Sequence, residues 1–207
     1  MTDWVTISSL ATAGGTLALA GATFAATQSS NRNARIAEVA LRQQLRPVLM
    51  TSQLDDPEQK IMFAGGHWVR VPGGGAVVEH LDGVVYLSLS LRNVGSGIGV
   101  LLGWSADLDY EYGQPHRQAG PDEFRSQIRD LWIPAGSIGL WQGALRDDSE
   151  EIHGRLRDVV ASPRIFLLDL LYSDHLGAQR SISRFSLVPG QEGRWMAAVV
   201  RHWQVDA

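Results

Sequence analysis

The chain of 207 residues contains no cysteine, which excludes a disulfide framework, a thiolate metal site and a cysteine nucleophile. Lysine is nearly absent too: of 18 basic residues only Lys60 is a lysine. With a net charge of −4, a pI near 5.8 and no basic cluster beyond residue 46, it lacks the cationic face that nucleic acid requires. No internal repeat and no low-complexity tail interrupt it. Most informative is a local absence, since residues 4–28 hold no ionisable side chain at all.

Such a stretch, if helical, reaches roughly 37 Å and is long enough to cross a hydrocarbon core of about 30 Å. Only Asp3 precedes it, whereas Arg32, Arg35, Arg42 and Arg46 follow. A secretory signal carries its basic residues ahead of the apolar run, so this flank opposes cleavage, although Ala22, Ala25 and Ala26 offer small residues near a cut site. The charge asymmetry places the N-terminus outside and the rest of the chain in the cytoplasm, at the cell (inner) membrane. An outward-facing domain is the rival topology. Trp4 suits an aromatic belt, and Arg32 and Arg35 suit the headgroups. Gly14 and Ala18 lie in a stripe with Ala11, Ala22 and Ala25 against which a second helix can pack. The expected partners are therefore the lipid bilayer and either a protein partner or a second copy, with no nucleic acid.

The division expected is an anchor over 1–28, a juxtamembrane helix over 29–46 ended by Pro47, and one β domain over 47–207. After Pro47 the apolar period drops from helical to two. Val85, Leu87, Leu89 and Leu91 alternate with Tyr86, Ser88, Ser90 and Arg92, which predicts a strand with one buried and one wet face. Asp82-Gly83 before it predicts a tight hairpin turn to 76–81. Further strands are expected at 48–54, 60–71, 99–112, 137–145, 164–172, 179–188 and 194–206. Short helices are expected at 122–131 and at 150–160, the second capped by Ser149. Many strands without βαβ alternation point to an all-β antiparallel sandwich with one or two short helices.

The run Asn93-Val94-Gly95-Ser96-Gly97 between two apolar strands resembles the strand-turn-strand of immunoglobulin-like bacterial domains. Ile133-Pro134-Ala135-Gly136 and Tyr172-Ser173-Asp174 with Gly177 continue the likeness. Over most of its length the chain is similar to bacterial proteins of unknown function that join one N-terminal transmembrane helix to an Ig-like β-sandwich. That resemblance implies a fold and carries no catalytic residue with it.

Chemistry-bearing patterns are few. The glycines of 95–99 precede a strand rather than a helix, so they read as positive-φ turn residues and not as a phosphate loop. Asp107, Asp109 and Glu111 would share one face of a strand, which presents ligands too far apart to wrap a cation. Among His67, His80, His116, His153, His175 and His202, no pair has the spacing of a helical zinc site. Nor is there a nucleophile elbow, since Gly136-Ser137-Ile138-Gly139 has the wrong spacing. No catalytic, cofactor-binding or metal-binding residue is assigned. Trp68, Trp104, Trp132, Trp141, Trp195 and Trp203 are expected mainly in a core, with Arg201, Trp203 and Trp195 as candidate interaction residues of a docking strand. The function expected is a membrane-anchored, non-enzymatic interaction or scaffold module. The alternative is a tethered enzyme or small-ligand binder using Asp169, Asp174, His175 and His202 around a hairpin at 172–184.

Overall fold

The structure, a computed structural model, describes residues 4–111, 113 and 117–205. Its two units are a helix ending at Gln44 and a β domain beginning at Leu45.

The helix, α1 (Trp4–Gln44), is 41 residues long. Within it Ser8–Leu41 is long and apolar enough to cross a membrane. Leu10, Leu17, Leu19 and Phe24 project from it fully exposed, as a helix made for lipid would leave them. The several threonines of this stretch are explained by their hydroxyls. Thr12, Thr16, Thr23 and Thr27 each donate to the carbonyl four residues earlier, at 2.8–2.9 Å, so the polar groups are satisfied inside the helix. Trp4 opens the helix; its side chain and that of Arg42 lie outside the described residues.

In the domain the strands are β1 (Leu49–Thr51), β2 (Gln59–Met62), β3 (Trp68–Val71), β4 (Gly75–Leu81), β5 (Val84–Asn93) and β6 (Gly99–Asp107). Then come β7 (Arg125–Ile133), β8 (Ile138–Leu145), helix α2 (Glu151–Ala161), β9 (Phe166–Ser173), β10 (Arg180–Pro189) and β11 (Trp195–Gln204). Nine strands form one antiparallel sheet in the order β1-β5-β4-β11-β10-β9-β6-β7, with β8 on the free side of β5. β2 and β3 form a separate hairpin. The main core draws on both arms of the sheet, with Leu87, Leu89 and Trp141 from β5 and β8 and Phe166, Leu168, Leu170 and Phe185 from β9 and β10. Leu156 and Val159 of α2 close it at one end, and the His153 ring nitrogen Nε2 meets the Gly83 carbonyl at 2.9 Å.

Several expectations change on contact with the fold. The stretch 60–71 is two strands rather than one, because Gly65 and Gly66 take positive φ and turn the chain back. The predicted helix over 122–131 is a single 3-10 turn, Pro121–Glu123, followed by β7. Pairing of Leu131 with Leu101 and of Arg125 with Trp104 overrides the helix-start signal of Pro121 with Asp122 and Glu123. Finally, β5 is buried on both faces. Its outer face is covered by the β2–β3 hairpin, where Ile61, Phe63, Val69 and Val71 pack on Tyr86, and by a Ser52–Ser90 hydroxyl contact of 2.6 Å. The Asp82-Gly83 turn forms as expected, with φ of 50° and 76°. α2 begins after Glu150 and not after Ser149, whose hydroxyl is held by Asp147.

The chain enters the domain through a stitched joint. Asn93, fully buried at the end of β5, accepts from the Val48 and Gly95 amides and donates to the Gly97 and Ile133 carbonyls, at 2.7–3.1 Å. All four hydrogen-bonding positions of its amide are filled. Gly95 and Gly97 do not have the positive φ expected of them. They are glycines because a Cβ at Gly97 would lie 1.6 Å from the Leu45 carbonyl oxygen and one at Gly95 2.3 Å from that of Arg46. Leu49 completes the joint, its amide reaching the Tyr172 hydroxyl at 3.4 Å and its carbonyl accepting from Ser183 at 3.0 Å.

Replacing Asn93 by Leu leaves the partners it held without theirs, and should cost about 2–4 kcal/mol of folding free energy. Urea denaturation of the full chain in detergent checks this; a loss below about 0.5 kcal/mol would contradict the role given to Asn93.

Candidate interaction groove

Strands β7 and β8 follow each other through the turn at 134–137, yet they do not pair. β7 joins β6 and β8 joins β5, so the two edges diverge from the turn and leave a groove of about 410 Å³. Trp104, Arg125, Gln127, Ile128, Arg129 and Arg146 are among the residues that line it.

Its shape follows from a bulge. Leu101 of β6 pairs with Leu131 and Gly103 with Ser126, so residues 127–130 of β7 stand opposite Leu102 alone and swing out. Gly103 permits this, since a Cβ there would sit 2.7 Å from the Arg125 carbonyl oxygen. Gln127 then reaches across, donating to the Gln142 carbonyl at 3.0 Å and accepting from the Trp141 indole at 3.2 Å. Ile128 is thrown into solvent at 94% exposure. Arg125 lies 5.6 Å over the Trp104 ring and holds Glu150 through two hydrogen bonds, of 2.5 and 3.1 Å. Arg146 donates to the Ala64 carbonyl at 2.7 Å, and Arg129 is exposed with no acidic partner among the described residues.

The edge of β8 facing the groove is open. The Asn93 amide bonds to the Ser137 carbonyl and the Gln142 carbonyl accepts from Gln127, so odd-numbered positions of β8 address β5 and even-numbered ones the groove. The backbone groups of Gln142 and Ala144 therefore point away from β5 into the groove, and among the described residues no second strand pairs with β8 there.

The sequence-expected interaction residues are dispersed. Trp195 is a core residue, edge-on to Phe166 with ring centroids 5.7 Å apart, and is not available at the surface. Trp203 is half-buried 5.3 Å from the Arg184 guanidinium, and Arg201 is exposed on β11. Gly14 and Ala18 are exposed on α1, as are Arg32 and Arg35. Arg46 is drawn into the domain, where it donates to Ser181 at 3.0 Å.

The groups around 172–184 do not converge. Asp174 accepts from the Ala178 amide at 2.8 Å and shapes the hairpin tip with Gly177, at φ 71°, while His175 is exposed. Asp169 instead binds Arg184 through two hydrogen bonds of 2.7 and 2.6 Å, and both side chains are almost wholly buried. Burial opposes the Arg184 charge, but the hydrogen bonds and charge of Asp169, with Asp107 behind them, outweigh it and raise its pKa. His202 packs against Ser183 with Nδ1 2.7 Å from the hydroxyl. β6 ends at Asp107, so Asp107, Asp109 and Glu111 do not form the expected row, and Asp109 pairs with Arg155 at 2.6 Å. Among the described residues no three acidic or imidazole groups cluster as metal ligands. His116 and Tyr112 lie outside the described residues.

No protein-family model matches the chain, and neither a curated protein nor a solved structure is similar to it. The residues of the groove were missed by sequence reading because Gln127, Ile128 and Arg129 fall inside the segment expected as a helix. Gly103 was the available signal, a glycine within a strand.

Two outcomes test the chemistry around β10. Arg184→Met removes the guanidinium that holds the buried Asp169 carboxylate and should cost about 3–5 kcal/mol, most of it recovered in Arg184→Met/Asp169→Leu; urea denaturation showing equal losses in both would contradict this. Burial, with the Arg46 charge behind it, pushes the His202 pKa below its ordinary value of 6.5. The unfolded chain then takes up the proton first as pH falls, so the contribution is full above the ordinary value and is lost as pH drops toward the depressed one. His202→Gln should flatten the stability profile as pH falls below the ordinary value of 6.5, and an unchanged slope would contradict it.

Proposed function

We propose that the chain is a single-pass membrane protein whose Ig-like β-sandwich works in the cytoplasm as a non-catalytic docking module. The observation that carries this is the helix. Its stretch without ionisable side chains, residues 4–28, has side chains exposed from Ser8 onward and threonine hydroxyls satisfied internally, and Arg32, Arg35, Arg42 and Arg46 follow it. The sandwich reading is supported by a core that both arms of the sheet fill together. The β7–β8 groove supports docking, because it joins an open strand edge to an exposed isoleucine and a set of arginines. A tether to the bilayer raises the local concentration of such a module toward partners at the same surface.

The test is membrane fractionation of the full chain with a reporter fused after Ala207. The expected result is membrane association that resists carbonate, a reporter active only in the cytoplasm, and loss of insertion in Leu17→Arg/Leu19→Arg, where each arginine costs about 2.5–3.5 kcal/mol. Release by carbonate, or a reporter active outside, would contradict the reading.

A further inference from the structure

We infer that the β7–β8 groove takes an extended acidic segment of a partner protein, added as a strand along the open edge of β8. This rests on the reading of the domain as a docking module and names the chemistry of what docks.

Three observations converge on it. The edge supplies the start of a ladder, since the backbone groups of Gln142 and Ala144 face the groove where no second strand pairs with β8 among the described residues, and a strand pairs with such groups at about 4.8 Å. The bulge at 127–130 holds β7 off that edge, so the gap is bridged by the Gln127 side chain rather than closed by a backbone ladder, and an incoming strand takes the place of Gln127 on the Gln142 carbonyl. The charge is one-sided along the lining: Arg125, Arg129 and Arg146 are its ionisable residues, and Glu150, outside the lining, answers Arg125 alone. An incoming chain with carboxylates at alternate positions would meet Arg129 and Arg146, and its apolar side chains would meet Ile128. Alternation is what an added strand presents, because successive side chains point to opposite faces. A basic segment would be repelled by the same arginines, which gives the groove its selectivity.

The experiment uses the full chain in nanodiscs and a labelled peptide of about ten residues alternating glutamate with valine, read by fluorescence anisotropy. Controls are the same peptide with lysine for glutamate, and the glutamate peptide N-methylated on alternate amides. The glutamate peptide should bind, with affinity falling about tenfold in Arg129→Glu/Arg146→Glu and comparably on N-methylation, while the lysine peptide does not bind. Ile128→Asp should weaken it too, and melting curves of both variants check that the fold is kept. Absent binding, equal binding of both charge types, or indifference to N-methylation would overturn the proposal.

In cells, a photo-crosslinking residue at position 128 is compared with one at Val200 on the exposed part of β11. Crosslinks at 128 that Arg129→Glu/Arg146→Glu abolishes and that the glutamate peptide competes away in isolated membranes support the proposal. Crosslinks at 200 but not at 128 overturn it and leave the docking module standing. A crosslink at 128 joining two copies of this chain makes the occupant a second copy and overturns the acidic partner. Crosslinks at neither position count against both readings.

Discussion

The domain hangs on one buried amide. Asn93 closes β5, and from there its side chain ties the incoming strand at Val48, the turn at Gly95 and Gly97, and the end of β7 at Ile133. Three segments far apart in sequence thus meet at one side chain, in a setting where an unmade hydrogen bond is costly and cannot be supplied by water. The glycines beside it serve the same purpose by letting the backbone of Leu45–Val48 lie against the 95–97 turn. The chain passing from the helix into the domain is consequently part of the core within a few residues of Gln44.

Fixing that end has a consequence at the other. Ile133 is held by Asn93, and the following turn is tied through the Gly136 amide to the Asn93 carbonyl, so β7 and β8 leave a common point for different arms of the sheet. Their free edges stand apart at the 127–130 bulge and do not pair with each other. The space between them is bridged instead by the Gln127 side chain and flanked by Arg125, Arg129 and Arg146. An unpaired strand edge is ordinarily a liability. Here the bulge and the charges keep it from pairing indiscriminately and leave it open to a segment of the right charge.

Much of the fold was legible in the sequence. The apolar run with arginines behind it marks α1, and the period-two pattern with Asp82-Gly83 marks β4 and β5, because those signals are local. The burial of both faces of β5 was not legible, since Ser88 and Ser90 read as solvent-facing until the β2–β3 hairpin and Ser52 cover them. β7 read as a helix for a similar reason: Pro121 followed by Asp122 and Glu123 is a local helix-start signal, and only the distant strand β6 turns 125–133 into a ladder. The tryptophans of the last segment misled as well. Trp195 and Trp203 look alike in sequence, yet one packs on Phe166 inside and the other lies over Arg184 near the surface. The groove followed these misreadings, because it is made of residues whose roles depend on partners far along the chain.

The most direct test of the claim that the chain is stitched into the core where it enters is amide hydrogen exchange on the full protein in nanodiscs. The amides of Val48 and Gly95, both held by the Asn93 side chain, should exchange with opening free energies matching that of Leu89 in the middle of β5. If those two amides exchange freely while Leu89 stays protected, the joint opens on its own and the account built on Asn93 is wrong.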